Sequence, residues 1–261
     1  MIEAKLGHLR EILSSMGNLA VAFSGGIDSS LVLRVASDLS ESRVIALMAV
    51  SKLIPQHESS EAERTAESLG VPFRKVSVQV MDNKVFVENS RERCYLCKRM
   101  IFERLLEVAR EENMDTLVDG TNLDDLGEVR PGLRALEELG VRSPLAEVRI
   151  SKAEVREMAR RLGMEMADRP ENTCLATRIP RGQKITIERL QRIDGAELFL
   201  RSLGIHQLRV RDHDDLARIE VLPDQLEIIL NNANAVATRF RELGFRFITL
   251  DLEGFRSGSL G

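Results

Sequence analysis

Residues 24–30 read SGGIDSS. They stand between an apolar run that reads as a β-strand, LAVAFS (19–24), and a helical pattern from Asp28 to about Leu39. A strand that passes through two glycines straight into a helix constrains the fold more than any other stretch of this chain. Adjacent glycines let the backbone turn tightly and bring its N–H groups close to an anion. Ser29 and Ser30 fall in the first helical turn, where unpaired N–H groups and the helix dipole favour phosphate. Asp28 can cap the helix or hold a magnesium ion. No lysine follows the glycines, so this is not the GxxxxGKS/T loop. The alternative is a plain glycine–serine turn without a ligand.

The alternation of strand and helix continues past this turn. RVIALMAV (43–50) reads as a strand, PQHESSEAERTAESLG as a helix closed by Gly70, and FRKVSVQV (73–80) as a half-buried strand. CYLCKRMIFERLLEVAREE carries apolar residues at helical spacing, and DTLVDG (115–120) is a short strand. Strands alternating with helices give an α/β fold, a parallel sheet with helices on both faces. Ligands of such a sheet lie beyond the C-terminal ends of its strands. Residues 121–150 are less regular. SKAEVREMARRLGM (151–164) is a helix that opens on a Ser151/Glu154 capping box. The loop PENTCLATRIPRGQ (170–183) marks the expected boundary between a domain over 1–182 and a smaller α+β domain over 183–261. There, QLRVRDH and LARIEVL read as paired strands, LEIILNNANAVATRFRELG as one helix and FRFITLDL as a closing strand. The tail GFRSGSLG is expected to be disordered.

Composition excludes some classes. A net charge of −4 argues against a surface built to grip nucleic acid, which carries a basic surplus. The longest apolar run, VIALMAV, is far short of the roughly 20 residues that span a bilayer. The N-terminal MIEAKLGHLREIL reads as an amphipathic helix and not a signal peptide, so a cytoplasmic location is expected. Three cysteines cannot form a disulfide framework, which leaves redox, metal and nucleophilic roles open.

Cys94 and Cys97 form a C-x-x-C pair, and Cys174 stands alone ahead of Arg178 and Arg181. A tetrahedral zinc site needs a fourth protein ligand. Three thiols suit an iron–sulfur cluster with one open iron. Packing of the pair at i and i+3 is the plain alternative. Positive charge favours a thiolate, and Arg178 and Arg181 can supply it, or bind a phosphate, or be solvated. In LRVRDH, Arg209 and Arg211 share one strand face, where arginine forks bind phosphate. Alternatively that face is exposed and pairs with Asp212, Asp214 and Asp215.

SGGIDSS resembles the PP-loop of the ATP pyrophosphatases, which split ATP between its α and β phosphates and attach AMP to a substrate oxygen. The resemblance implies pyrophosphate held by Ser24, Gly25, Gly26, Asp28, Ser29 and Ser30, with Ala22 beside the nucleotide and the backbone of Met48 at adenine. It also implies Gly120 near the nucleotide and Asp124 or Asp125 available to Mg²⁺. SGGIDSS, CYLCK, DGTNLDDLGEVRPGLRALEELGVRSPLAE, CLATRIPRG and LRVRDHDDLARIEV, in this order, resemble the LarE family, PP-loop sulfur transferases of nickel-pincer nucleotide biosynthesis. That resemblance implies adenylation of a carboxylate of pyridinium-3,5-biscarboxylic acid mononucleotide and its conversion to a thiocarboxylate. Cys174 matches the family's sulfur source. Members that sacrifice one cysteine do not need the C-x-x-C pair. The three-cysteine members are associated with a 4Fe-4S cluster, here on Cys94, Cys97 and Cys174, fed by a sulfur donor system. Arg209 and Arg211 would hold the substrate phosphate with Glu197 nearby. A homo-oligomer, a hexamer, is expected by resemblance alone. The rival readings are a PP-loop tRNA thiolase, a nitrogen-inserting NAD or GMP synthetase, and a non-enzymatic nucleotide sensor.

Overall fold

The computed structural model describes residues 2–39, 42–127, 131–164 and 173–256. Residues 128–130 and 165–172, which include the start of the loop 170–183, lie outside the described residues, as does most of the tail, 257–261. The chain divides into two compact units built from non-contiguous pieces. The first comprises Met1–Ser51, Gln56–Val80 and Glu92–Glu171; the second comprises Lys52–Pro55, Met81–Arg91 and Asn172–Gly261.

The first unit holds α1 (Ile2–Ser14), β1 (Leu19–Ala22), α2 (Ile27–Ser37), β2 (Val44–Val50), α3 (Gln56–Ser68) and β3 (Phe73–Ser77). Its four strands are all parallel, in the order β3-β2-β1-β4, where β4 is Thr116–Val118. Ala20, Ile45, Leu47, Val76 and Leu117 pack on one side with Phe102, Leu105, Val108 and Ala109. The alternate residues Leu19, Val21, Ala46, Met48 and Val118 are buried as well. Burial on both faces explains why these strands are continuously apolar, as a covered parallel sheet requires. The third strand is shorter than FRKVSVQV implies. Its last partner is Val50, the end of β2, and the chain then turns into a 3-10 helix at Val80–Asp82.

Between them in sequence, α4 (Lys84–Val87) belongs to the second unit, and α5 (Arg93–Glu111) returns to the first. The irregular run after β4 contains α6 (Pro131–Glu138) and α7 (Pro144–Glu147), followed by α8 (Lys152–Arg161). The capping box of α8 is present: Glu154 N donates to Ser151 Oγ, and Ser151 N donates to Glu154 Oε2 at 2.9 Å.

In the second unit, α9 (Ile187–Ser202) is followed by β5 (Leu208–His213) and β6 (Leu216–Val221), an antiparallel pair with Arg209 opposite Glu220. The stretch read as one helix is two, α10 (Leu226–Asn231) and α11 (Ala233–Glu242). The break falls at Asn232, which leaves helical geometry at φ −108° and ψ 17° and donates from both its backbone N (3.2 Å) and its Nδ2 (2.9 Å) to Ile228 O. β7 (Phe247–Leu250) adds parallel to β6. Leu208, Val210, Ala217, Ile219 and Val221 meet Ala196, Leu200, Val236 and Phe240 in this unit's core. That leaves the opposite sheet face for Arg209, Arg211 and Glu220. Among the described residues no helix is long and apolar enough to cross a membrane.

Candidate functional site

The phosphate loop leaves β1 with Phe23 N still bonded to Leu47 O and then turns at Gly25, where φ is +77°. A Cβ on Gly25 would lie 3.1 Å from the Cβ of Ala62, so both the conformation and the space call for glycine. Gly26, extended at φ −76° and ψ 161°, is the N-cap of α2, and no side chain caps it. The expectation that Asp28 caps this helix is therefore corrected: Asp28 is the second helical residue. Ser30 N, bonded to Gly26 O at 3.0 Å, is the first amide with an intrahelical partner, since the earlier ones in a helix have none. Ser29 Oγ bridges Gly26 O (3.1 Å) and Ser24 Oγ (3.2 Å), and Ser24 Oγ accepts from Gly26 N. Ser30 Oγ is fully buried with no hydrogen-bond partner among the described residues. An uncapped helix start, a serine-braced turn and an orphaned buried hydroxyl together fit an anion.

Gly120 follows β4 at the same C-terminal edge of the sheet. A Cβ there would sit 2.6 Å from Ser29 N, so glycine lets this loop press against the first turn of α2. Asn122 organises the turn beyond it. Its Oδ1 accepts from Asp124 N and Asp125 N, and its own N donates to Asp125 Oδ2 at 3.0 Å. Asp124 Oδ2 accepts from Lys152 N at 2.8 Å. Asp124 and Asp125, either of which the resemblance makes available to Mg²⁺, thus both take part in the turn. Asp28 Oδ2 lies 2.5 Å from Lys152 Nζ, and Asp28 Oδ1 accepts from Asn122 Nδ2 at 3.2 Å. Burial pushes the Asp28 carboxyl above its usual range, with Lys152 and Asn122 opposing the shift. Lys152 is not among the residues that the sequence singles out. The one signal is its place at the first position of a helix, where the dipole disfavours a cation.

Cys94 and Cys97 occupy the first turns of α5, and both are half-buried. Arg93, buried at that helix start, donates from Nη2 to Cys94 Sγ at 4.0 Å. One residue past the pair, Lys98 Nζ stands 3.8 Å from Asp119 Oδ2. Asp119 also accepts from Thr121 N, Thr121 Oγ1 and Ser143 Oγ. Among the described residues no three His, Cys, Asp or Glu side chains form a group that could hold a metal ion.

In the second unit, half-buried Cys174 is the N-cap of a 3-10 turn, Leu175–Arg178. Its carbonyl accepts from Thr177 N (2.9 Å) and Thr177 Oγ1 (2.7 Å). Arg178 is buried and committed. Nε and Nη2 fork onto Glu197 Oε1 and Oε2 at 2.8 and 3.1 Å. Nη1 donates to Thr173 O (2.8 Å), Thr173 Oγ1, Thr177 Oγ1 and Cys174 O. Glu197 also accepts from Val210 N. Arg178 therefore ties both peptides flanking the thiol to α9. Arg181 lies outside, donating to Ser90 O at 3.4 Å. The loop after it is clasped by Asn89, fully buried at φ +58°. Its Nδ2 donates to Pro180 O (2.8 Å) and Gln183 O (3.0 Å).

Arg209 and Arg211 share a face, as the strand period requires, but that face is not exposed. Asp212 instead pairs with Arg189 and Arg192 on α9. Arg211, 2% exposed, forks onto Glu220 and donates to Thr177 O at 2.9 Å. Arg209, 9% exposed, lies over the Phe255 ring at 4.6 Å and forms no ion pair among the described residues. Burial and the Arg178 charge both lower its pKa. Three buried guanidiniums therefore face two carboxylates, Glu197 and Glu220, and the surplus positive charge falls on Arg209.

A family model described as a family of unknown function, DUF7411, matches residues 17–134. The chain is 40% identical to an uncharacterized protein of Synechocystis sp., covering 100% of this chain and 98% of that one. It is 35% identical to the pyridinium-3,5-bisthiocarboxylic acid mononucleotide synthase of Lactiplantibacillus plantarum, over 99% of this chain and 94% of the relative. A more distant match, 27% over 61% of this chain and 53% of the relative, is the tRNA-specific 2-thiouridylase of Rickettsia rickettsii.

Proposed function

This chain belongs to the family of pyridinium-3,5-bisthiocarboxylic acid mononucleotide synthases, the LarE family, and we propose that it is an ATP-dependent sulfurtransferase making a thiocarboxylate from a pyridinium carboxylate nucleotide. The observation that carries ATP use is the phosphate loop, with its uncapped α2 start and the orphaned Ser30 hydroxyl. There the substrate carboxylate attacks the α-phosphorus. The α–β P–O bond breaks, pyrophosphate leaves, and the acyl-adenylate carries a carbonyl open to sulfur. Ser24, Gly25, Gly26, Ser29 and Ser30 hold the phosphates. Asp28, Asp124 or Asp125 would supply a carboxylate to Mg²⁺.

The substrate's own phosphate belongs at Arg209. A buried guanidinium without a carboxylate partner is costly, and a phosphate offers two oxygens to its fork. Arg211 and Arg178, already engaged with Glu220 and Glu197, back Arg209 with charge. Exposed Arg181 is the second candidate.

Cys174 delivers the sulfur. In the sacrificial route its thiolate displaces AMP from the acyl-adenylate and forms a thioester. Loss of the Cα proton then breaks the Cβ–S bond, leaving dehydroalanine and the thiocarboxylate. In the route we favour, Cys94, Cys97 and Cys174 would hold a 4Fe-4S cluster. What supports this route is the donor type alone: three partly accessible thiols, two of them one helical turn apart on α5. Bound there, a cluster would supply a place for external sulfide. Arg93 and the α5 dipole then supply positive charge beside Cys94, and Arg178 fixes the backbone on either side of Cys174.

Intact-protein mass spectrometry after anaerobic turnover with ATP, the pyridinium biscarboxylate nucleotide and added sulfide tests the reading. Thiocarboxylate formed over several turnovers with the protein mass unchanged supports the cluster route. Loss of one H₂S at Cys174 per product means sacrifice. ATP consumption without thiocarboxylate, or no consumption, overturns the assignment.

A further inference from the structure

A nucleotide split between its α and β phosphates needs positive charge where the pyrophosphate departs, yet the loop SGGIDSS contains no lysine. The fold brings one from 124 residues away: Lys152 Nζ lies 2.5 Å from Asp28 Oδ2, one residue before Ser29. Several contacts fix it there. Lys152 opens α8 against the helix dipole. Its own amide is held by Asp124, and the Ser151/Glu154 capping box fixes the helix start beneath it. Asn122, which builds the 122–125 turn, holds the other oxygen of Asp28. The two charged side chains are each 21% exposed, so the pair is neither sealed in the core nor free in solvent.

The neighbouring Lys98–Asp119 pair shows the difference. Its separation is 3.8 Å, and Asp119 has three other donors, so that carboxylate stays satisfied when its lysine moves. Among the described residues the Asp28 carboxylate takes its hydrogen bonds from the side chains of Lys152 and Asn122. Asp28 thus depends on Lys152 and holds it at the loop.

We infer that Lys152 is the pyrophosphate-binding cation of this site and that Asp28 is the counterion that holds it in place before the nucleotide arrives. The inference rests on the proposed use of ATP and adds a residue to it. Three N–H donors on a flexible stem let the ammonium keep Asp28 and take a β- or γ-phosphate oxygen. It then follows the charge that collects on pyrophosphate as the P–O bond breaks.

Calorimetric binding of ATP, inorganic pyrophosphate and AMP to the full chain, to Lys152→Met and to Lys152→Arg tests this. Loss of a charge-assisted contact weakens ATP and pyrophosphate binding about 10- to 100-fold in Lys152→Met. AMP binding, which also reports an intact fold, stays within about twofold, and Lys152→Arg recovers most of the pyrophosphate affinity. Undiminished pyrophosphate binding by Lys152→Met, even with a lowered melting temperature, overturns the inference and leaves a structural salt bridge. Equal losses of AMP and pyrophosphate in both variants overturn it as well. A wild-type chain that binds neither ATP nor pyrophosphate removes the nucleotide reading itself, a result distinct from the other two.

Discussion

The two regions proposed to bind phosphate are built in opposite ways. In the first unit the donors are backbone amides, held open because Gly26 offers α2 no side-chain cap. In the second unit the donors are arginine side chains, and two of the three are already engaged by Glu197 and Glu220. A backbone cradle advertises itself, because only a few residues permit it. An arginine does not, because its type says nothing of whether a carboxylate has claimed it.

Breaking the engaged side of that contrast should have the largest effect on stability. Arg178→Met leaves Glu197 charged and buried without its fork, a loss of about 3–5 kcal/mol, read from the denaturant midpoint. A loss under about 1 kcal/mol, the range of an exposed pair, would erase the distinction. On the open side, Gly120→Ala drives a Cβ against Ser29 N. Overpacking of this kind costs about 1–3 kcal/mol, and nucleotide titration should show ATP affinity falling at least as far as stability does. Unchanged ATP binding would detach Gly120 from the cradle.

The smallest effect sharpens the comparison through pH. Because burial raises the Asp28 pKa in the folded state, the fold binds that proton more tightly than the unfolded chain. Its contribution to stability is full below the unfolded carboxylate pKa and is lost as pH rises through the higher folded value. Asp28→Asn, which cannot ionise, should therefore gain on wild type as pH rises through that window and compare least favourably at low pH. Melting temperatures across an acid-to-neutral series check the sign.

The same contrast explains what the sequence made legible. The parallel sheet and the phosphate loop could be read because strand, glycine pair and helix follow one another within the chain, so local rules suffice. The capping box of α8 was visible for the same reason. Lys152 was not, because its meaning comes from Asp28, far away in sequence. The roles of Arg178 and Arg211 were hidden likewise, their carboxylate partners being on α9 and β6. The single helix read over 226–244 failed for a local cause instead: apolar spacing continues through Asn232, but the backbone there leaves helical geometry. Asn89 carried no signal at all, since nothing around it predicts a left-handed asparagine whose amide serves the loop after Cys174.

The Asn89 clasp also governs how the chain reaches this structure. Asn89 meets Ile179, Pro180 and Gln183 across 90, 91 and 94 residues. During synthesis at about 5–20 residues per second, it waits roughly 5–18 s for those partners to be made. Through that interval 81–91 is made without most of the second unit it belongs to, and its apolar Phe86 and Val87 await those partners. The second unit cannot begin to assemble until the first has been fully translated. The loop that bears Cys174 is therefore among the last parts of the protein to take shape, and is the part a chaperone has most time to meet.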